Sequence, residues 1–109
     1  MKLYLKPACT SCRNAKSWLR DKGVVFQEID LNKGLSVDEL DALIGDRDYK
    51  LFLNTRNELY RARGMKGNPP SRGEALKLMS ENPNLIKRPI LVKGQKIALG
   101  VDEVQRLAG

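Results

Sequence analysis

Cys9 and Cys12 are the only cysteines in the chain, and Thr10 and Ser11 separate them. Two thiols at this spacing can close a small, reversible disulfide. They follow the apolar run Leu3-Tyr4-Leu5 and precede a helical pattern, so the spacing predicts a strand-to-helix turn. The N–H groups at a helix start, together with the positive end of its dipole, favour a thiolate. That context reads as a redox-active pair. The first cysteine lies at the helix mouth and is the expected attacking thiolate. The second lies one turn in and is the expected resolving thiol.

Three other readings compete. A zinc site wants two further ligands, and the chain holds no His and no third Cys, so metal could be held only by sharing ligands with another chain. A purely structural disulfide suits a secreted protein. The start Met1-Lys2-Leu3-Tyr4-Leu5-Lys6 lacks the apolar stretch of a signal peptide. Cytoplasm is the expected location, with the thiols reduced at rest and no membrane partner. Two inert cysteines are the bland alternative.

Twenty Lys and Arg residues against thirteen Asp and Glu leave a formal charge of +7, which favours acidic partners or anionic substrates. The densest basic stretch holds Arg56, Arg61, Arg63, Lys66 and Arg72. It reads either as a solvated surface or as a binding surface. No aromatic RNA-binding pattern or zinc finger accompanies it, so direct nucleic-acid binding is not expected and a basic nucleic-acid-binding domain ranks third among the functional readings.

The elements must position the pair. With 109 residues, the chain is expected to form a single domain over residues 1–109. Lys2 to Leu5 reads as a first strand ended by Pro7. A helix over about residues 10–21 puts Cys12, Ala15, Trp18 and Leu19 on one face and stops at Gly23. Residues 24–29, Val-Val-Phe-Gln-Glu-Ile, read as a second strand, which makes a parallel βαβ unit. Ser36-Val37-Asp38-Glu39 is a capping box opening a helix that ends at Gly45. Residues 49–63 read as one or two short helical pieces broken near Asn54-Thr55, followed by a Gly/Pro loop to Pro70. Ser71-Arg72-Gly73-Glu74 is a second capping box, opening a helix to about Glu81. Ile90-Leu91-Val92 and Lys96 to Leu99 flank Lys93-Gly94-Gln95 as a hairpin, and a last helix follows Gly100. Trp18, Phe26 and Tyr49 read as packing residues. The order is βαβ, a helical insertion, then ββα: a thioredoxin-like α/β fold with a mixed four-stranded sheet.

Three blocks carry a resemblance: Lys6-Pro7-Ala8-Cys9-Thr10-Ser11-Cys12-Arg13-Asn14-Ala15, Asn54-Thr55-Arg56, and residues 82–92 with Arg88-Pro89-Ile90. Nearly end to end, the chain resembles the glutaredoxin-like arsenate reductase family, which includes the Spx-type transcription regulators. In the reductases a cysteine matching Cys9 attacks arsenate and an arginine matching Arg13 favours its thiolate. Arginines matching Arg56 and Arg88 hold the oxyanion. Guanidinium suits that task by its forked geometry and its charge. The resemblance also implies a cis bond between Arg88 and Pro89, since thioredoxin-like folds place a cis-proline beside the dithiol. Arg88 is then aimed at the cleft holding Cys9. No cofactor is implied beyond glutathione as reductant, with a glutaredoxin- or thioredoxin-type protein as the alternative.

The chain departs from the reductases where they carry a histidine (here Leu5) and a third anion-binding arginine (here Gly100), and in having Cys12 at all. These differences imply weak or absent arsenate reduction. They direct the reading to a thiol–disulfide oxidoreductase with an unassigned substrate. The Spx-type regulators imply a second reading, a redox switch that binds the RNA polymerase α subunit. Their polymerase-contacting turn includes a glycine where this chain has about Asp48, within the charged run Asp46-Arg47-Asp48-Tyr49-Lys50.

Overall fold

A computed structural model describes all 109 residues. They divide into two compact units, one of residues 1–31 with 88–109 and one of residues 32–87.

The first unit holds the sheet. β1 (Lys2–Leu5) pairs in parallel with β2 (Gln27–Asp30) and antiparallel with β3 (Ile90–Lys93), which pairs antiparallel with β4 (Lys96–Leu99). The order β2-β1-β3-β4 makes the expected mixed four-stranded sheet. Alternation along the strands sends Leu3, Leu5, Leu91 and Ala98 into one buried cluster. α1 (Thr10–Asp21) adds Cys12, Ala15 and Leu19 to it, and α5 (Val101–Ala108) adds Val104. These positions recur at three- and four-residue intervals along α1, which is why one face of that helix is buried and the other solvated. Burying each large aliphatic side chain is worth about 1.5–3 kcal/mol, and the cysteine turn is anchored in this cluster through Cys12, with Cys9 packed against it. On the solvated side, Lys16 and Arg20 of α1 meet Glu28 of β2 at 2.8 and 3.2 Å.

The second strand is shorter and later than the sequence suggests. Val24, Val25 and Phe26 have strand-type side chains, yet pairing begins at Gln27. The Val24 N–H donates to the Leu19 carbonyl at 3.0 Å, which ties this stretch to the end of α1. Val25 is left 88% exposed. β1 and β2 pair over four residues each, from Lys2 with Gln27 to Leu5 with Asp30, despite the strand propensity of the three residues before Gln27. The hairpin loop is Gly94-Gln95, one residue shorter than expected, because Lys93 and Lys96 still pair. Gly94 takes φ +61° there, as two-residue hairpin turns require.

The second unit is helical. α2 (Val37–Ile44) starts from a complete capping box: the Glu39 N–H donates to Ser36 Oγ and the Ser36 N–H to Glu39 Oε1, both at 3.1 Å. A 3₁₀ turn over Tyr49–Phe52 and α3 (Glu58–Ala62) are the two short pieces expected between residues 49 and 63. α4 (Arg72–Glu81) packs against α2 and against a 3₁₀ turn at Pro83–Leu85. Ser71 caps α4 by accepting the Glu74 N–H, while the Glu74 carboxylate turns to Arg63 at 3.5 Å. The Tyr49 hydroxyl donates to the Pro70 carbonyl at 2.6 Å, a packing role as expected.

Candidate functional site

Cys9 is the N-cap of α1, with extended backbone at φ −80° and ψ 124°. Its N–H donates to the Lys6 carbonyl at 3.0 Å, which closes the turn made by Pro7 and Ala8. Cys9 is half-buried and Cys12 fully buried, and both are free thiols. The Lys6 N–H donates to Cys12 Sγ at 3.4 Å. One residue at the end of β1 therefore holds both cysteines through its backbone. Pro7 contributes by lacking an N–H and fixing its own φ, which stops the strand and starts the turn.

The two thiols are electrostatically unlike. Partial burial alone pushes Cys9 up. The Cys12 backbone N–H, the Cys12 S–H and the Arg88 guanidinium, which adds its charge, together outweigh that and hold Cys9 below the ordinary thiol range. Burial pushes Cys12 up to about 11. The Lys6 N–H opposes the rise, the bond to Cys9 and the Cys9 charge add to it, and the Arg88 charge opposes it again. A more acidic thiol at the surface and a less acidic one held beneath it is the asymmetry that sequential disulfide exchange needs.

Arg88 immediately precedes β3, and the peptide bond joining it to Pro89 is cis, as the resemblance implies. Pro89 is buried, and its carbonyl accepts the Gly100 N–H at 2.9 Å, extending the hairpin ladder by one rung. Of the residues singled out in the sequence, the structure thus brings Cys9, Cys12 and Arg88 together, with Pro89 next in the chain. Arg13 lies on the exposed face of α1, and the causes of the Cys9 shift do not include it; the cation that acts on Cys9 is Arg88. Arg56 belongs to the second unit, where it is exposed and its N–H donates to Asn54 Oδ1 at 3.1 Å. In the same unit the basic stretch is partly neutralised, since Arg63 pairs with Glu74 and Arg72 with Asp41 at 2.9 Å. Those pairs favour the solvated-surface reading of that stretch.

Two residues went unassigned from sequence. Burial and then the Arg88 charge hold Lys6 below the ordinary lysine range, against which Asp30 at the end of β2 and, less strongly, the Cys12 and Cys9 charges favour its charged form. The available signal was position: each is at the last residue of its strand or one beyond, on neighbouring parallel strands whose final pair is Leu5 with Asp30.

The dithiol turn and the sheet order together define a scaffold, and residues 4–108 match the model of the ArsC family. The chain belongs to the ArsC family. Among curated ArsC-like relatives, the global transcriptional regulator Spx of Streptococcus mutans is 34% identical over 104 residues, spanning 93% of this chain and 76% of that protein. Spx of Enterococcus faecalis is 30% identical over 109 residues, spanning 95% and 83%. Among solved structures, the arsenate reductase from Vibrio cholerae superposes with a TM-score of 0.82 at 28% identity, covering 98% of this chain and 96% of that one. The fold is therefore the thioredoxin-like fold of the ArsC proteins, as the order of elements led us to expect. Within the family this chain is similar both to proteins named as regulators and to proteins named as reductases. No helix is long and apolar enough to cross a membrane.

Proposed function

We propose that this ArsC-family protein is a thiol–disulfide oxidoreductase in which Cys9 attacks and Cys12 resolves. The observation that carries the reading is the contrast between the two sulfurs. Cys9 is accessible, made acidic by Arg88 and by Cys12. Cys12 is buried and protonated within hydrogen-bonding reach of it. The Cys9 thiolate attacks a substrate disulfide and releases one substrate thiol, leaving a mixed disulfide. Cys12 then loses its proton, attacks Cys9 Sγ and releases the second thiol. The substrate gains two electrons, and the pair loses two on closing its own disulfide. A glutathione-, glutaredoxin- or thioredoxin-type thiol supplies the electrons that reopen it.

The test uses glutathione disulfide as oxidant. The reduced wild-type protein is expected to end as an intramolecular disulfide with no glutathione attached. The Cys12→Ser variant is expected to accumulate one glutathione on Cys9. If neither product forms, the reading fails.

The similarity to Spx proteins supports a second reading, in which the same pair switches binding to the C-terminal domain of the RNA polymerase α subunit. Pull-down with that domain, using oxidised and reduced protein, separates the two. Redox-dependent capture favours the switch. Turnover of disulfides without capture favours the enzyme. The charged turn at Asp46, Arg47 and Asp48, all exposed, is the surface to mutate if capture occurs.

A further inference from the structure

Lys6 meets the dithiol through its main chain. β1 ends at Leu5, and its ladder with β3 ends at Tyr4 with Ile90. The main-chain groups of the next residue go to the cysteine turn. The Lys6 carbonyl accepts the Cys9 N–H at 3.0 Å, and the Lys6 N–H donates to Cys12 Sγ at 3.4 Å. The sulfur that receives this bond is fully buried in an apolar cluster that includes Leu3, Leu5, Ala15, Leu91 and Val104. A charge formed in such surroundings is costly unless a hydrogen-bond donor meets it. The start of α1 directs its donor elsewhere, since the Cys12 N–H serves Cys9.

We infer that the main-chain N–H of Lys6 is the donor that stabilises the Cys12 thiolate when that sulfur attacks Cys9 in the resolving step. This rests on the dithiol reading above. The two thiols are thus served by different elements: Cys9 by the first turn of α1, Cys12 by the end of β1. In the reduced protein the Cys9 charge and its hydrogen bond both oppose ionisation of Cys12. A mixed disulfide on Cys9 removes that opposition and leaves the Lys6 N–H in place. The donor is part of the backbone that also holds the Cys9 N–H, so no side chain has to be ordered to present it. It carries no ionisable proton in the working range, and it is already aimed at the atom on which charge develops. Burial meanwhile keeps the resting Cys12 protonated and shielded from side reactions.

The step balances. Cys12 S–H gives its proton to solvent, and the thiolate attacks Cys9 Sγ. The Cys9–substrate S–S bond breaks, the Cys9–Cys12 bond forms, and the substrate leaves as a thiolate that takes up a proton. The pair is oxidised and the substrate sulfur reduced.

The experiment mixes reduced protein with one equivalent of dithiodipyridine, an uncharged aromatic disulfide whose two thiones are released in sequence. The first release reports attack by Cys9 and the second reports resolution by Cys12. Lys6→Pro deletes the N–H and keeps the carbonyl that holds Cys9. Lys6→Ala lacks the same side chain and keeps the N–H, so the two variants are compared with each other. Losing a hydrogen bond to an ionised group raises a pKa by about one to two units. The less acidic thiolate is the better nucleophile, which recovers about half of the loss on a logarithmic scale. Relative to Lys6→Ala, the second phase of Lys6→Pro is therefore expected to slow about three- to tenfold near neutral pH, and its pH profile to move up by about one to two units. A second measurement leaves Lys6 intact and decides the matter even where Lys6→Pro fails to fold. In Cys9→Ala, with Cys12 the sole thiol, the Lys6 amide proton resonance is expected to move downfield with the same midpoint as the Cys12 thiolate absorbance. A Lys6 amide that does not follow Cys12, or a folded Lys6→Pro whose second phase matches that of Lys6→Ala, overturns the role of the N–H and leaves the dithiol reading standing. In the wild type, a single release with no intramolecular disulfide overturns the dithiol reading itself.

Discussion

Arg88 is the residue whose removal most directly tests the electrostatics of the site. Its guanidinium donates to Cys9 and adds a positive charge beside it. A hydrogen bond to a charged group is worth about 1.5–3 kcal/mol, and one pKa unit corresponds to about 1.4 kcal/mol. Full transmission would raise Cys9 by one to two units in Arg88→Gln. Cys9 is half-exposed, so solvent screening takes the lower end, about one unit. The kinetic signature is specific. Below both pKa values the thiolate fraction falls about tenfold while intrinsic nucleophilicity rises about threefold, so Cys9 reacts about threefold more slowly. Above both, the variant is fully ionised, is the better nucleophile and reacts about threefold faster. The two rate–pH curves must therefore cross. The assay is the single thione release from dithiodipyridine in a Cys12→Ser background across pH, with a thermal melt to establish folding. Arg88→Lys is expected to fall between wild type and Gln, keeping charge but losing the fork. Arg13→Gln is expected to leave the midpoint in place, since Arg13 lies on the solvated face of α1. A variant that is slower at every pH without crossing, or an Arg13 effect equal to that of Arg88, would falsify this account of Cys9.

Two further outcomes follow from the same geometry. The raised Cys12 value, about 11 against about 8.5 for a free thiol, makes reduced protein sensitive to alkali. A thiol harder to ionise when folded contributes nothing against unfolding below the unfolded value, and the unfolded chain gains by ionising above it. Stability is thus kept below about pH 8.5 and lost as pH rises toward 11; the urea midpoint is expected to fall over that window more steeply for wild type than for Cys12→Ala, and parallel slopes would count against a buried neutral thiol. At Gly100 the backbone has φ +91° and ψ 163°, a region open essentially to glycine alone, so Gly100→Arg is expected to cost about 1–3 kcal/mol in a melt, and both it and the wild type are expected to turn over arsenate weakly or not at all; robust turnover by the wild type would show that the absent histidine and third arginine do not matter, and a gain in the variant alone would show that the arginine is the missing part.

Much of the first unit was legible from local pattern. The cysteine turn, the face of α1 and the hairpin each depend on residues within a few positions of one another, so propensity, capping and period were enough to find them. Ser36 with Glu39, and Gly94 in the hairpin, are signals of this kind, where a side chain or a missing Cβ acts on its own backbone. The start of β2 was not legible, because Val24 to Phe26 carry strand-type side chains, yet Val24 is tied to the end of α1 and pairing begins at Gln27.

The functional residues divide along the same line. The sequence by itself determined that a dithiol sits at a helix start, which thiol is outermost, and that an Arg-Pro pair opens the hairpin. Those are matters of order along one chain segment. Tertiary structure alone decided which cation serves the thiolate. Arg13 is four residues from Cys9 in sequence, but the helical rotation turns it to solvent. Arg88 is far away in sequence, yet the antiparallel pairing of β3 with β1 returns it to the turn after Leu5. The parallel register of β1 and β2, whose last pair is Leu5 with Asp30, likewise brings the Asp30 charge to bear on Lys6. Charge acts through space and falls with distance, so its effect belongs to the fold that sets those distances.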